Sequence, residues 1–148
     1  MEVRYQIFPE EGLLIQQYLS DWNLNTYVEY FSEVMSHPDY HKVTKVFSDV
    51  TSIDLLTPYK ELQQLIDFRQ NRIRSKYFNV HLISNSTNTA FVLLYQQQLK
   101  EKGYDYEYCS TLEKAMMLLN LPFTLHEMEH RLENLEERFV RNLNSNAS

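Results

Sequence analysis

The chain has 148 residues, of which 43% are hydrophobic and 23% charged, and its formal net charge is −6. This length predicts one domain with an apolar core, and the negative charge argues against binding to nucleic acid or anionic membranes. No apolar run approaches the roughly 20 residues that span a bilayer, and the start lacks a signal-peptide pattern. We therefore expect a cytoplasmic protein without a membrane span.

The first half of the chain predicts a hairpin, a helix and a third strand. Alternating apolar and polar residues predict strands over residues 3–8 and 13–19, joined by a turn. Helical periodicity predicts a helix over residues 26–35, and Pro38 ends it. Its predicted apolar face consists of Tyr27, Tyr30, Phe31 and Val34. A third strand is expected over residues 43–50, followed by a polar loop over residues 49–57.

The second half alternates helices with strands. A second helix begins at residue 57, and a fourth strand follows over residues 78–84. A third helix over residues 86–102, with Phe91, Leu94, Tyr95 and Leu99 as its buried stripe, leads to a fifth strand over residues 104–109. A short helix after residue 110 stops at Pro122, and a long amphipathic helix is predicted over residues 121–143.

Capping signals mark three of the helix starts. They are Thr26 with Glu29, Thr57 before Pro58, and Ser110 with Glu113. The order predicts an α/β fold with a mixed, mostly parallel five-stranded sheet, an N-terminal β-hairpin, packed helices and an extra C-terminal amphipathic helix. We divide the chain into an α/β domain over residues 1–120 and a helical extension with a frayed tail over residues 121–148.

Glycine and cysteine are both scarce. Gly12 and Gly103 are the two glycines, and each is expected in a turn, so no dinucleotide loop, phosphate loop or nucleophile elbow can be built. The single cysteine, Cys109, excludes an internal disulfide. We expect it to be a buried structural residue and not a nucleophile.

Four segments carry a resemblance to a known family: residues 5–14 (YQIFPEEGLL), 46–50 (VFSDV), 90–95 (AFVLLY) and 108–115 (YCSTLEKA). Over residues 3–120 the chain resembles small bacterial STAS-like proteins of the SpoIIAA-like superfamily. The resemblance implies a non-enzymatic regulatory or protein-interaction domain, because the superfamily includes anti-sigma-factor antagonists. Its fold relation to CRAL-TRIO lipid-binding domains implies, as the alternative, a small-molecule or lipid ligand.

The loop after the third strand is the candidate docking or modification site. In the antagonists a serine followed by glycine is phosphorylated there, whereas this loop has hydroxyls but no Ser-Gly pair. The loop follows the carboxyl end of a strand and precedes a helix. In parallel sheets, ligands commonly bind at this edge. Ordinary turn and cap chemistry is the competing explanation. The candidate residues are Asp49, Thr51, Ser52, Asp54 and Thr57.

The final predicted helix contains His126-Glu127-Met128-Glu129-His130, a match to the H-E-x-x-H zinc-protease pattern. The chemistry needs a third ligand, and the metzincin spacing places glutamates, Glu133 and Glu136, where Gly and His belong. We therefore interpret the match as chance, with a zinc-dependent hydrolase as a third alternative. The sequence predicts no catalytic residue, no metal site and no cofactor.

Two stripes of residues on the same predicted helix allow further interpretations. A stripe of His126, His130, Glu133 and Glu137 has metal-ligand spacing, although a solvated face explains it better. The apolar stripe either packs within the chain or forms a homodimer contact. Its residues are Leu125, Met128, Leu132, Leu135 and Phe139.

A basic cluster ends the second predicted helix. It either meets an acidic partner or phosphate, or simply complements the helix dipole. Its members are Arg69, Arg72, Arg74 and Lys76. The expected partners are thus a protein or a second copy of the chain, with a small apolar ligand as the alternative.

Overall fold

The computed structural model describes residues 1–55 and 59–141, which form a six-stranded mixed sheet with helices on both faces. The strands are β1 (Glu2–Phe8), β2 (Leu13–Tyr18), β3 (Lys45–Asp49), β4 (Phe78–Leu82), β5 (Tyr106–Cys109) and β6 (Glu137–Val140). The helices are α1 (Leu24–Met35), α2 (Tyr59–Asn71), α3 (Ser86–Lys100), α4 (Leu112–Leu119) and α5 (Leu125–Glu133), with a 3₁₀ turn at Tyr40–Lys42.

The sheet order is β5-β4-β3-β2-β1-β6. Strands β2 to β5 are parallel, whereas β1 is antiparallel to both of its neighbours. Each crossover from β2 to β5 moves to the next strand in one direction, and right-handed crossovers then place α1, α2 and α3 on the same side. We call that side the front face. Helices α4 and α5 return across the back face to β6.

Each face of the sheet carries its own apolar core. The front core is rich in aromatic residues, and Tyr30, Phe31 and Tyr106 are at most 1% exposed. The back core packs β-strand residues such as Phe47 and Val80 against α4 and α5. The prediction of an α/β fold with an N-terminal hairpin is confirmed, but the sheet has six strands where five were predicted.

The prediction of one long helix over residues 121–143 is wrong. The helix α5 ends at Glu133, and the side chain of Asn134 caps it by donating to the carbonyl oxygen of His130 at 2.7 Å. The chain then re-enters the sheet as β6 and pairs antiparallel with β1 over Glu137–Val140.

The strand β6 forms because β1 offers an edge whose backbone groups need partners. Phe139 of β6 packs on the front face with its ring centroid 5.5 Å from that of Tyr30. Met128 and Leu135 instead lie in the back core. The predicted apolar stripe is therefore divided between the two faces of the sheet, and Met128, Leu135 and Phe139 are buried within the chain.

Two helix starts differ from the predicted capping boxes. Asn23 caps α1, because its Oδ1 accepts from the backbone of Thr26 at 3.1 Å. Thr111 caps α4 in place of Ser110, and its hydroxyl accepts from the backbone of Lys114. The predicted start of α2 at Thr57 and Pro58 lies outside the described residues.

Helix α3 also differs from its predicted packing. Leu94 is 50% exposed, whereas its neighbour Val92 is 1% exposed and faces the front core. The helix is apolar on more than one side, so periodicity alone did not identify its buried face. Both glycines adopt positive φ in turns, as predicted, with values of 65° at Gly12 and 87° at Gly103.

Candidate functional site

A cavity of about 40 Å³ lies between the sheet and helix α3, close to the carboxyl ends of β2, β3 and β4. In parallel sheets, ligands commonly bind at this edge. Its wall combines aromatic, aliphatic and uncharged polar side chains. The lining residues are Gln16, Tyr18, Trp22, Tyr27, Val50, Leu55, Leu65, Asn79, His81, Phe91, Val92 and Tyr95.

A row of polar side chains crosses the front face beside the cavity. Gln16, Ser48 and His81 occupy paired positions on β2, β3 and β4. Strand positions covered by helices are normally apolar, because an unsatisfied buried polar group costs free energy. Gln16, Ser48 and Asn79 are nevertheless at most 5% exposed.

The first part of this row is a chain of hydrogen bonds. The Tyr30 hydroxyl donates to Gln16 Oε1 at 2.8 Å, and Gln16 Nε2 donates to Ser48 Oγ at 2.7 Å. Ser48 then donates to Asn79 Oδ1 at 3.0 Å. The chain ends at Asn79, which lines the cavity and can donate through Nδ2.

His81 is held as a neutral donor. Gln96 Nε2 donates to the carbonyl oxygen of Glu107 at 2.8 Å, which fixes the amide orientation, and lies 3.1 Å from His81 Nδ1. His81 Nδ1 therefore accepts, and the neutral ring carries its proton on Nε2. Burial lowers the pKa of His81 to about 4, so the ring is uncharged at neutral pH.

Two further tyrosines line the cavity, and both side chains belong to the front core. Tyr18 is 4% exposed and Tyr27 is 8% exposed, and both line the cavity. Burial raises the pKa of each hydroxyl well above its usual value, so both remain protonated. Both hydroxyls can therefore donate a hydrogen bond to a molecule in the cavity.

A buried cation lies one aromatic layer behind the cavity wall. Arg69 is fully buried, and its guanidinium lies 4.4 Å from the ring centroids of both Tyr77 and Tyr104. Its Nε donates to the Tyr106 hydroxyl at 2.7 Å, and the Tyr106 ring packs edge-on against cavity-lining Tyr95. Within the described residues no carboxylate forms a salt bridge with Arg69.

Half-buried aromatic residues form the outer part of the wall. The Trp22 ring centroid lies 5.7 Å from that of Tyr27 and 6.3 Å from that of Phe91. Trp22 and Phe91 pack against the front core without being fully covered. The cavity thus has a polar inner end and an aromatic outer end, an arrangement suited to binding a small molecule.

The predicted docking loop borders this cavity through Val50 and Leu55. The fully buried Asn88 of α3 holds the loop, since its side chain accepts from the Leu55 amide and donates to two loop carbonyls. Asp49 is buried and accepts from the amide and hydroxyl of Thr51. Ser52 and Asp54 are exposed, and Thr57 lies outside the described residues.

The H-E-x-x-H segment lies on the opposite face of the sheet, where His126 and His130 are exposed on α5. Glu127 accepts from Arg131 Nε at 3.0 Å, and Arg131 also binds Glu11 at 2.8 Å.

The stripe of possible metal ligands is divided in the same way as the apolar stripe. Glu133 ends α5, and Glu137 begins β6. No group of three His, Cys, Asp or Glu residues in the described ranges is placed to hold a metal ion.

The predicted basic cluster is also divided. Arg72, Arg74 and Lys76 are exposed, but Arg69 lies inside the front core. For Arg69 the alternative of an acidic partner or phosphate is therefore wrong, because two tyrosine rings, the Tyr106 hydroxyl and two backbone carbonyls enclose its guanidinium. Cys109 is buried as predicted, and burial raises the pKa of its thiol.

Sequence reasoning missed the polar wall of the cavity. Gln16, Asn79 and His81 stand at positions where strand alternation points toward the helices, and that placement was the available signal. Comparison with protein-family models, curated proteins and solved structures finds no match to this chain. None of the described helices is long and apolar enough to cross a membrane.

Proposed function

We propose that this chain is a non-catalytic domain that binds a small molecule in the cavity beneath α3. One observation carries the proposal: side chains that line the cavity carry four hydrogen-bond donors. They are the hydroxyls of Tyr18 and Tyr27, Asn79 Nδ2 and His81 Nε2.

These donors are not sealed inside the protein. Within the described residues, the fully buried side-chain atom without a hydrogen bond is Arg131 Nη1, on the opposite face of the sheet. Donors that open onto a cavity bind water when no ligand is present, and a ligand with acceptor atoms takes the place of that water.

The size of the cavity limits what enters. A cavity needs about 10–15 Å³ to hold one water molecule, so a cavity of about 40 Å³ takes about three waters or one compact polar group. The remainder of a ligand would lie at the outer end, against Trp22 and Phe91. The chemistry of the described lining favours binding over catalysis, because it contains no carboxylate, thiol or lysine.

A fragment screen by ligand-observed NMR tests this proposal. We expect hits with the wild type that are lost in Val92→Met, because Val92 lines the cavity and the longer side chain would fill it. Leu94→Met lies on the same helix but is exposed, so this variant should bind as the wild type does. Thermal unfolding checks that both variants are folded. Hits that survive Val92→Met unchanged, or no hits at all, would contradict the proposal.

The resemblance to STAS-like domains supports a second candidate function, the binding of a regulatory protein partner through the loop that follows β3. The Asn88 hydrogen bonds hold this loop in place, with Ser52 and Asp54 exposed at the carboxyl edge of the sheet. Affinity capture should recover a protein with the wild type but not with Ser52→Glu or Asp54→Arg. Capture should persist with Glu129→Arg, on the far face. Loss of capture with all three variants, or with none of them, would count against the loop as the binding site.

A further inference from the structure

The polar groups at the cavity are mostly donors, and a positive charge lies behind them. We propose that the ligand is a small monocarboxylic acid, with its carboxylate at the polar inner end and an apolar body against Trp22 and Phe91. This inference rests on the proposed function and adds the chemical class of the ligand.

The hydrogen-bonding groups that line the cavity favour a ligand that accepts hydrogen bonds. Asn79 Nδ2 can only donate, because Asn79 Oδ1 already accepts from Ser48. His81 Nε2 also donates, because Nδ1 is occupied by Gln96. The hydroxyls of Tyr18 and Tyr27 stay protonated, so they can donate as well. A carboxylate accepts through two oxygens with about four lone-pair positions, which matches four donors.

The electrostatic surroundings favour a negative charge. No acidic residue is among the described residues that line the cavity. Arg69 is fully buried and carries a charge that no carboxylate in the described residues balances. Arg69 contacts Tyr106, whose ring packs against Tyr95 in the cavity wall. In an interior of low dielectric constant, a cation at this depth still attracts an anion more strongly than it would in water.

The shape of the site determines which end of the ligand enters. The inner volume takes a group the size of a carboxylate but not a ring or a branched chain. Tyr27, Trp22 and Phe91 surround the outer end and offer apolar and aromatic contact area. A fatty acid or a phospholipid would need a longer apolar channel than this cavity provides.

The experiment compares benzoate with benzamide, which has nearly the same shape but no charge. Trp22 is the only tryptophan in the chain and lines the cavity, so its fluorescence reports occupancy. At pH 7 we expect benzoate to bind at least tenfold more tightly than benzamide. The comparison changes the ligand and leaves Arg69 untouched, so no variant has to fold.

Removing a donor provides the matched test on the protein. Tyr27→Phe should weaken benzoate binding about tenfold, as expected for one hydrogen bond to a charged group. Tyr5→Phe removes a hydroxyl that binds Glu33 away from the cavity and should leave the affinity unchanged. Equal binding of benzoate and benzamide would overturn the carboxylate assignment and leave the proposed site standing. No fluorescence response to either probe, together with an empty fragment screen, would overturn both.

Discussion

At the scale of single residues, the front core contains two kinds of buried tyrosine. Tyr30 donates to Gln16 and completes the polar row, whereas Tyr18 and Tyr27 line the cavity. The three side chains share a chemical type and a degree of burial. Their hydroxyls therefore differ in what they do for the fold, and this difference can be measured.

Tyr30→Phe should lower the free energy of unfolding by about 1–3 kcal/mol, because the buried oxygen of Gln16 loses its donor. Tyr18→Phe and Tyr27→Phe should change it by less than about 0.5 kcal/mol, since both residues line the cavity, where water can bond to the hydroxyl. Urea unfolding of the three variants checks this. Losses of similar size at all three positions would mean that the cavity hydroxyls have a structural role.

His81 predicts a particular dependence of stability on pH. Its pKa is 6.5 in the unfolded chain and about 4 in the folded protein, so between these values the unfolded state binds more protons. Stability conferred by the neutral ring is therefore complete above pH 6.5 and declines as the pH falls toward 4. The slope from this residue is at most about 1.4 kcal/mol per pH unit.

Urea unfolding between pH 7 and pH 4.5 measures this slope. The carboxylates of the chain also contribute in this range, so the quantity of interest is the difference between the wild type and His81→Gln, which cannot titrate. We expect the variant to lose less stability on acidification. Parallel pH profiles for the two proteins would show that the imidazole does not stay neutral in the fold.

The sequence identified many of the buried residues but not the polar site. Helical periodicity correctly predicted Tyr27, Tyr30, Phe31 and Val34 as the buried face of α1. Buried polar residues break the rule on which such predictions depend, so strand alternation alone did not single out Gln16 or Asn79. Arg69 was grouped with the basic cluster at the end of the second helix, although it is fully buried. Its surroundings come from residues distant along the chain, which periodicity does not reveal.

At the scale of elements, the C-terminal segment shows where periodicity misleads. Residues 125, 128, 132, 135 and 139 keep helical spacing, yet the last of them is in a strand. The local pattern does not contain the open edge of β1, which supplies the hydrogen bonds that favour β6. The alternation of strands and helices over residues 1–120, by contrast, was sufficient to predict the α/β class.

Phe139→Ala tests the contribution of β6 to the fold. Phe139 is 8% exposed and packs on Tyr30, so its truncation should cost about 3 kcal/mol or more of unfolding free energy. Val140→Ala alters the next residue, which is 44% exposed, and should change stability by no more than about 0.5 kcal/mol. Thermal or urea unfolding separates the two cases. Equal, small losses would indicate that β6 is not part of the cooperative unit.

At the scale of the whole molecule, the two faces of the sheet have different compositions. The back core combines aliphatic side chains with phenylalanines such as Phe47. Arg131 connects α5 to the first hairpin through Glu11, and its guanidinium lies 3.9 Å from the Phe123 ring centroid. The front core contains the polar row, the buried Arg69 and the cavity. We therefore assign binding to the front face and structural support to the back face.

The most direct test of this assignment is chemical-shift mapping by NMR with the best fragment from the screen. Trp22 gives the only indole N–H signal of the chain, and His81 gives ring signals from the inner wall. We predict that both sets of signals shift on titration with a single dissociation constant, while the signals of His126 and His130 on the back face stay unchanged. Shifts confined to the back face, or none at Trp22 and His81, would contradict the proposal that this cavity is the binding site.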